Sequence, residues 1–237
     1  MSRPRTASLS AAGNPMRIGV LALQGGVEEH IEVLESLGAD TRRVRQVADL
    51  EGLDGLVLPG GESTVIDRLA RSFGLAEPLR AAIDAGLPVL ATCAGLIYLA
   101  RELENPAAGQ QTLGALDVTV RRNAFGNQRF SAERVVPVIL DDGEAGVDGE
   151  AGVDGEAGVG GDVVDVDASF IRAPIVTRTG PGVEAIATVS GNAGEGEFIV
   201  GVRSGAITAL SFHPEENGDA RVHAAWLAQI PAASAVA

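Results

Sequence analysis

The chain has 237 residues, 46% of them apolar, and a formal net charge of −14. That length suits one large α/β domain or two small ones, and no apolar run reaches the roughly 18 residues that would read as a membrane span. One cysteine, Cys93, excludes an intramolecular disulfide and suits a reducing cytoplasm.

The acidity is local. Residues 141 to 167 hold ten acidic side chains and no basic one. Neither Arg42, Arg43 and Arg45 nor the pair Arg121 and Arg122 makes a basic face wide enough for nucleic acid. The opening "MSRPRTASLSAAGNP" (1–15) has arginines but no apolar core, so it reads as a disordered tail rather than a signal peptide. Met16 stands directly before the first predicted strand, which leaves Met1 and Met16 both open as the start of translation.

"RIGVLAL" (17–23) is short, apolar and rich in β-formers, and predicts a buried strand. In "QGGVEEHIEVLESLG", Val27, Ile31, Val33, Leu34 and Leu37 fall near one helical face, and Gly38 ends the helix. "TRRVR" and "LDGLVLPGG" predict two more strands, "ESTVIDRLARSFG" and "AEPLRAAIDAG" two helices, "PVLATC" a strand, and "AGLIYLAREL" the helix after it. Alternating buried strands and amphipathic helices predict a parallel sheet with right-handed crossovers.

Past residue 112 the texture changes. "TLGALDVTVRRN", "RFSAERVVPVIL", "DASFIRAPIV", "VEAIATVSG", "EFIVGVRSG" and "AITALSFH" all read as strands, and "GDARVHAAWLAQI" as a closing helix. The hexapeptide "DGEAGV" occurs three times over 142–159. Its Asp and Glu raise the question of calcium, but three six-residue units are few for a solenoid and their composition cannot build a core. The segment 141–162 is read as a low-complexity acidic loop inserted in one domain spanning 16–237.

Cys93 lies where a strand turns into a helix, with the small residues Ala91 and Gly95 two positions either side. Such an elbow lifts a side chain above the carboxyl edge of the sheet and aims backbone N–H groups and a helix N-terminus at it, which favours a thiolate nucleophile. The stretch alone equally permits a small buried hydrophobe. A nucleophile needs a base. His30 and His223 sit inside predicted helices and read as surface or satisfied histidines. His213 ends an apolar strand, and Glu215 follows at i+2, on the same side of an extended chain, where a carboxylate can orient the ring. Cys93 and His213 both fall at predicted carboxyl ends of strands, where open α/β sheets place their sites, and this favours the nucleophile. "LPGGEST" (58–64) also follows a strand. Gly60 and Gly61 allow backbone N–H groups to approach an oxyanion, with Ala94 N–H as a second donor, or else form a turn capped by Ser63 or Thr64.

Together, "GLVLPGGEST", "LPVLATCAGLIYLA", "RRNAFGNQRFSAE", "FIRAPIV" and "ALSFHPE" resemble the glutaminase subunits of pyridoxal 5'-phosphate synthases, which are class I glutamine amidotransferases. The resemblance runs from about residue 16 to about residue 230. It implies a flavodoxin-like three-layer α/β fold, a mostly parallel sheet flanked by helices, with antiparallel strands added in the C-terminal half. It implies Cys93 as nucleophile, His213 as general acid/base and Glu215 as its orienting partner. It implies Gly61, Glu62, Ser63, Arg122, Ile171 and Arg172 as glutamine-binding residues, with Gly61 and Ala94 forming the oxyanion hole. The implied reaction is hydrolysis of L-glutamine, with ammonia passed to a separate (β/α)₈-barrel synthase subunit. No metal, bound cofactor, nucleic acid or membrane is implied. A glutaminase serving another synthase, or a non-catalytic regulatory subunit, are the alternatives. Ala91 departs from the glycine common at this elbow position.

Overall fold

The computed structural model describes residues 15–124, 133–140, 163–191 and 196–231. Residues 1–14 of the expected tail, the acidic insertion at 141–162 and the part of "RRNAFGNQRFSAE" at 125–132 lie outside the described residues.

The N-terminal half alternates as expected: β1 (Arg17–Leu21), α1 (Val27–Ser36), β2 (Asp40–Val44), β3 (Gly55–Leu58), α2 (Ser63–Ser72), α3 (Ala76–Asp84), β4 (Val89–Thr92) and α4 (Ala94–Leu99). Strands β5 (Ala100–Leu103), β6 (Leu116–Arg121), β7 (Glu133–Ile139), β8 (Val163–Ser169), β9 (Ile175–Thr179), β10 (Glu184–Ser190), β11 (Glu197–Ser204) and β12 (Ile207–Leu210) follow, and α5 (Arg221–Gln229) closes the described chain.

The centre of the sheet is parallel, in the order β2-β1-β3-β4-β12. From β12 outward, β11, β10, β7 and β8 pair antiparallel. β7 and β8 run in unbroken register from Glu133 opposite Ser169 to Ile139 opposite Val163, so the chain between them leaves and re-enters at one end of a hairpin.

β3 and β4 are buried at every position because helices cover both faces of the central sheet. Strand alternation divides their side chains between two cores. Val57 and Leu90 join Ile31 and Leu34 of α1 and Trp226 and Leu227 of α5. Leu56, Leu58 and Val89 join Ile66, Leu79 and Leu96 of the helices on the opposite face. Each fully buried leucine of this kind contributes roughly 1.5–3 kcal/mol.

Two expected elements differ. The helix after Cys93 stops at Leu99 instead of continuing through "AREL". All six residues of α4 are buried, which leaves no solvent face for Arg101 and Glu102. At Ala100 the chain turns extended, and β5 pairs parallel with β6, where Arg101 reaches Asp117 at 2.8 Å. "DASFIRAPIV" is not one strand. It breaks between β8 and β9, with Arg172 at φ 48° just before Ala173 and Pro174.

Candidate active site

β1, β3, β4 and β12 are neighbours, and β1, β3 and β4 end at one edge beside β12. The loops leaving that edge carry Gln24, Gly60–Ser63, Cys93 and His213. Leu210 opposes Thr92 in the ladder, and Cys93 N–H donates to Leu210 C=O at 2.8 Å, so the two strand ends that precede Cys93 and His213 are locked side by side.

Cys93 has φ 45° and ψ −98°, a conformation that non-glycine residues rarely adopt and that costs roughly 1–3 kcal/mol. Tertiary packing holds it there. A methyl group on Gly95 would lie 2.1 Å from the carbonyl oxygen of Leu58, so only glycine lets α4 seat against the end of β3. Ala91 is fully buried in β4, where its methyl fits.

His213 is fixed through its backbone by an isolated bridge to Ser169, with His213 N–H donating to Ser169 C=O at 3.0 Å. Nδ1 of its ring lies 2.8 Å from Glu215 Oε1, and Cys93 is the other group that acts on the ring. The way Glu215 gets there differs from the extended-chain expectation. Pro214 is helical at φ −68° and ψ −29°, and Glu215 opens a 3-10 turn that folds the carboxylate back under the ring.

The electrostatics follow from burial and pairing. Burial alone lowers the His213 pKa, but the hydrogen bonds and charges of Cys93 and Glu215 outweigh it and push the value up to about 11. Burial pushes the Glu215 carboxyl up, and the neighbouring His30 and His213 more than offset that, holding it well below the usual carboxylate range. The arrangement suits a thiol that passes its proton to the imidazole, beside a carboxylate that stays ionised.

The glycine loop closes over this group. A Cβ on Gly60 would stand 2.0 Å from Cε1 of His213, so a side chain there is excluded by the ring itself. Gly60 N–H donates to Thr92 Oγ1 at 3.0 Å, Gly60 C=O accepts from Gly26 N–H at 3.1 Å, and Glu62 N–H donates to Gln24 Oε1 at 2.6 Å.

Arg122, Glu62 and Ser63 come together beside the loop. Arg122 Nη1 donates to Gln110 Oε1 at 2.7 Å, Gln110 Nε2 donates to Ser63 Oγ at 3.0 Å, and Arg122 Nη2 lies 3.7 Å from Glu62 Oε1. Ile171 and Arg172 are exposed. Their turn is tethered to the His213 side by the Ser169 bridge and to the Arg122 side by Ala124 N–H donating to Ala173 C=O at 3.1 Å.

Gln24, Thr92 and Gln110 escaped the sequence reading, and His30, read there as a surface or satisfied histidine, is fully buried against Glu215. His30 and Thr92 had a visible signal. Helical spacing puts His30 beside Val27, Ile31 and Leu34, and Thr92 is the one polar residue of "PVLAT". Gln110 had none, because it works from an irregular loop.

Residues 20–147 match the model of the SNO glutamine amidotransferase family. The chain is 59% identical over 212 residues to the pyridoxal 5'-phosphate synthase subunit PdxT of Corynebacterium glutamicum (strain R), covering 90% of this chain and 94% of that one. It is 46% identical over 228 residues to PdxT of Acidothermus cellulolyticus, covering 96% and 100%. Among solved structures it is similar to one described as a glutamine amidotransferase, with a TM-score of 0.71, 40% identity and coverage of 89% and 97%. PurLQS from Thermotoga maritima, at 17% identity, TM-score 0.57 and coverage of 91% and 96%, shares the fold. With an α/β sheet of the amidotransferase type and relatives of this identity along nearly its whole described length, the chain belongs to the SNO glutamine amidotransferase family.

Proposed function

We propose that this protein hydrolyses L-glutamine to L-glutamate and ammonia as the glutaminase subunit of a pyridoxal 5'-phosphate synthase, with Cys93, His213 and Glu215 as its catalytic residues. The observation that carries the assignment is that the Cys93 elbow is locked beside the end of the strand that leads to His213, whose ring meets Glu215 Oε1 at 2.8 Å. The name shared by the relatives supports the synthase partner.

The Cys93 thiolate attacks the side-chain amide carbon of glutamine. The carbonyl oxygen takes up negative charge and is met by N–H groups of Gly61 and Ala94. The His213 imidazolium gives its proton to the departing nitrogen, ammonia leaves, and a γ-glutamyl thioester remains. Neutral His213 then takes a proton from water, whose hydroxide attacks the thioester carbon and expels the thiolate. Glutamic acid departs and ionises in solution, and the thiolate–imidazolium pair is restored. Glu215 stays ionised throughout and holds the ring through Nδ1.

Glu62, Ser63 and Arg122, joined by Gln110, supply charged and hydroxyl partners for the α-ammonium and α-carboxylate of glutamine, and the Ile171–Arg172 turn closes the opposite wall. Ammonia passes to a (β/α)₈ synthase subunit in a hetero-oligomer. A lone cysteine working as a reduced thiol fits the cytoplasm.

The test is covalent trapping. 6-Diazo-5-oxo-norleucine, a glutamine analogue, is incubated with the protein and its synthase subunit, followed by peptide mass spectrometry. An adduct on Cys93 that glutamine competes away is expected. Absence of any Cys93 adduct would overturn the assignment.

A further inference from the structure

Behind the His213–Glu215 pair lies a second pair of imidazoles that the hydrolysis above does not use. His30 of α1 and His223 of α5 are both fully buried, with ring centroids 5.1 Å apart. His30 Nε2 stands 3.2 Å from Glu215 Oε1 and 3.1 Å from Thr92 Oγ1, and His30 Nδ1 lies 2.8 Å from His223 Nε2.

Burial of imidazoles in an apolar core is costly unless their polar atoms are bonded. A leucine at position 30 would fill the space beside Ile31 and Leu34 without that cost. What an imidazole adds is a directed ring nitrogen, and its direction is set from behind. Burial and the neighbouring His30 hold the His223 pKa down to about 3, so His223 carries one proton. Among the described residues His223 Nδ1 has no hydrogen-bond partner. Its one bonded ring nitrogen, Nε2, is the one that meets His30 Nδ1, at 2.8 Å, and that bond fixes the plane of the His30 ring. With Nδ1 of His30 held at His223 Nε2, the His30 ring is oriented so that Nε2 faces Glu215 Oε1. Oε1 of Glu215 is the common target of the His213 ring, the His30 ring and the Thr92 hydroxyl, which come from three separate elements.

We propose that His30 is a positioning residue for glutamine hydrolysis: its ring, anchored at Nδ1 by His223, holds Glu215 Oε1 beneath the His213 ring through Nε2. This rests on the reading of Cys93, His213 and Glu215 as the catalytic residues. His30 does not touch glutamine. Its loss changes how well His213 is held and leaves the substrate pocket intact.

The experiment measures ammonia release from glutamine by the complex with the synthase subunit, for wild type, His30→Leu and His30→Gln, with melting curves as the folding control. For His30→Leu, kcat falls by roughly 10–100-fold, as for loss of a supporting hydrogen bond behind an active-site ligand, while KM for glutamine changes by less than about twofold. His30→Gln supplies an N–H donor and recovers to within about fivefold of wild type. Wild-type kcat in a folded His30→Leu protein, or a His30→Gln protein no better than His30→Leu, overturns the proposal. Should His30→Leu not fold, His223→Leu tests the same chain from behind: a kcat loss of about threefold to tenfold at unchanged KM supports it, and an unchanged kcat overturns it. Failure of wild type itself to release ammonia would sink the glutaminase reading instead, so the two failures are distinct.

Discussion

The Thr92 hydroxyl donates to Glu215 Oε1 at 3.2 Å and accepts Gly60 N–H at 3.0 Å. The residue directly before Cys93 thereby ties the carboxylate under His213 to the glycine loop over it. Thr92→Val keeps the shape and removes both bonds. It leaves a buried N–H unpaired, at a cost of roughly 1–3 kcal/mol of stability, and lowers kcat by about tenfold. Thr92→Ser keeps both bonds and stays within about threefold of wild type. Urea unfolding and steady-state ammonia release on the two variants check this.

Gly60 lies against the His213 ring, where an added Cβ would sit 2.0 Å from Cε1. Gly60→Ala must displace either the loop or the ring. Displacing the ring moves His213, the proposed general base, off line with the sulfur. The expected result is a loss of at least about 100-fold in kcat/KM, because an ångström of misplacement is enough for that. Trapping of Cys93 by the diazo analogue slows in parallel.

Gly95 answers to packing rather than chemistry. A methyl there would press on the Leu58 carbonyl at 2.1 Å, and backbone does not yield as a flexible side chain does. Gly95→Ala is expected to cost about 2–3 kcal/mol, or roughly 5–10 °C in Tm for a chain of this size. Calorimetry measures it. An unchanged Tm would mean that α4 seats less tightly on β3 than a 2.1 Å approach requires.

Acid sensitivity has a named source in His223. Its folded pKa is about 3, below the ordinary imidazole value of 6.5. Between those values the unfolded chain binds a proton that the folded chain refuses, so stability falls as pH drops through that window. His223→Gln removes the titration. From pH 7 to pH 5 the wild type is expected to lose about 2 kcal/mol more than the variant. The Glu215 carboxyl is held low, so its contribution is present above its unfolded value and is lost only under more acidic conditions than this range. Urea unfolding at the two pH values gives the difference directly.

The sequence carries the βα alternation and the elbow plainly, because buried parallel strands are near-continuous apolar runs and Cys93 has small residues on both sides. His213 and Glu215 are also legible, though for a different local reason than the extended spacing suggests: Pro214 starts a turn, and that turn brings the carboxylate back to the ring. The end of α4 is not legible. "AREL" has good helix formers, and only the complete burial of Ala94–Leu99 and the ladder offered by β6 convert it to strand. His30 and His223 are 193 residues apart, and nothing local says that their rings meet. Arg122 and Ser63 are likewise joined by Gln110, a loop residue whose role depends on tertiary placement.

In the proposed mechanism everything depends on attack of the Cys93 sulfur on glutamine. The direct measurement is ammonia and glutamate release by the complex of this protein with its synthase subunit, comparing wild type with Cys93→Ala. Wild type is expected to turn glutamine over and the variant to fall to the uncatalysed background, with the cooperative melt retained. Release by a folded Cys93→Ala protein at the wild-type rate would contradict it.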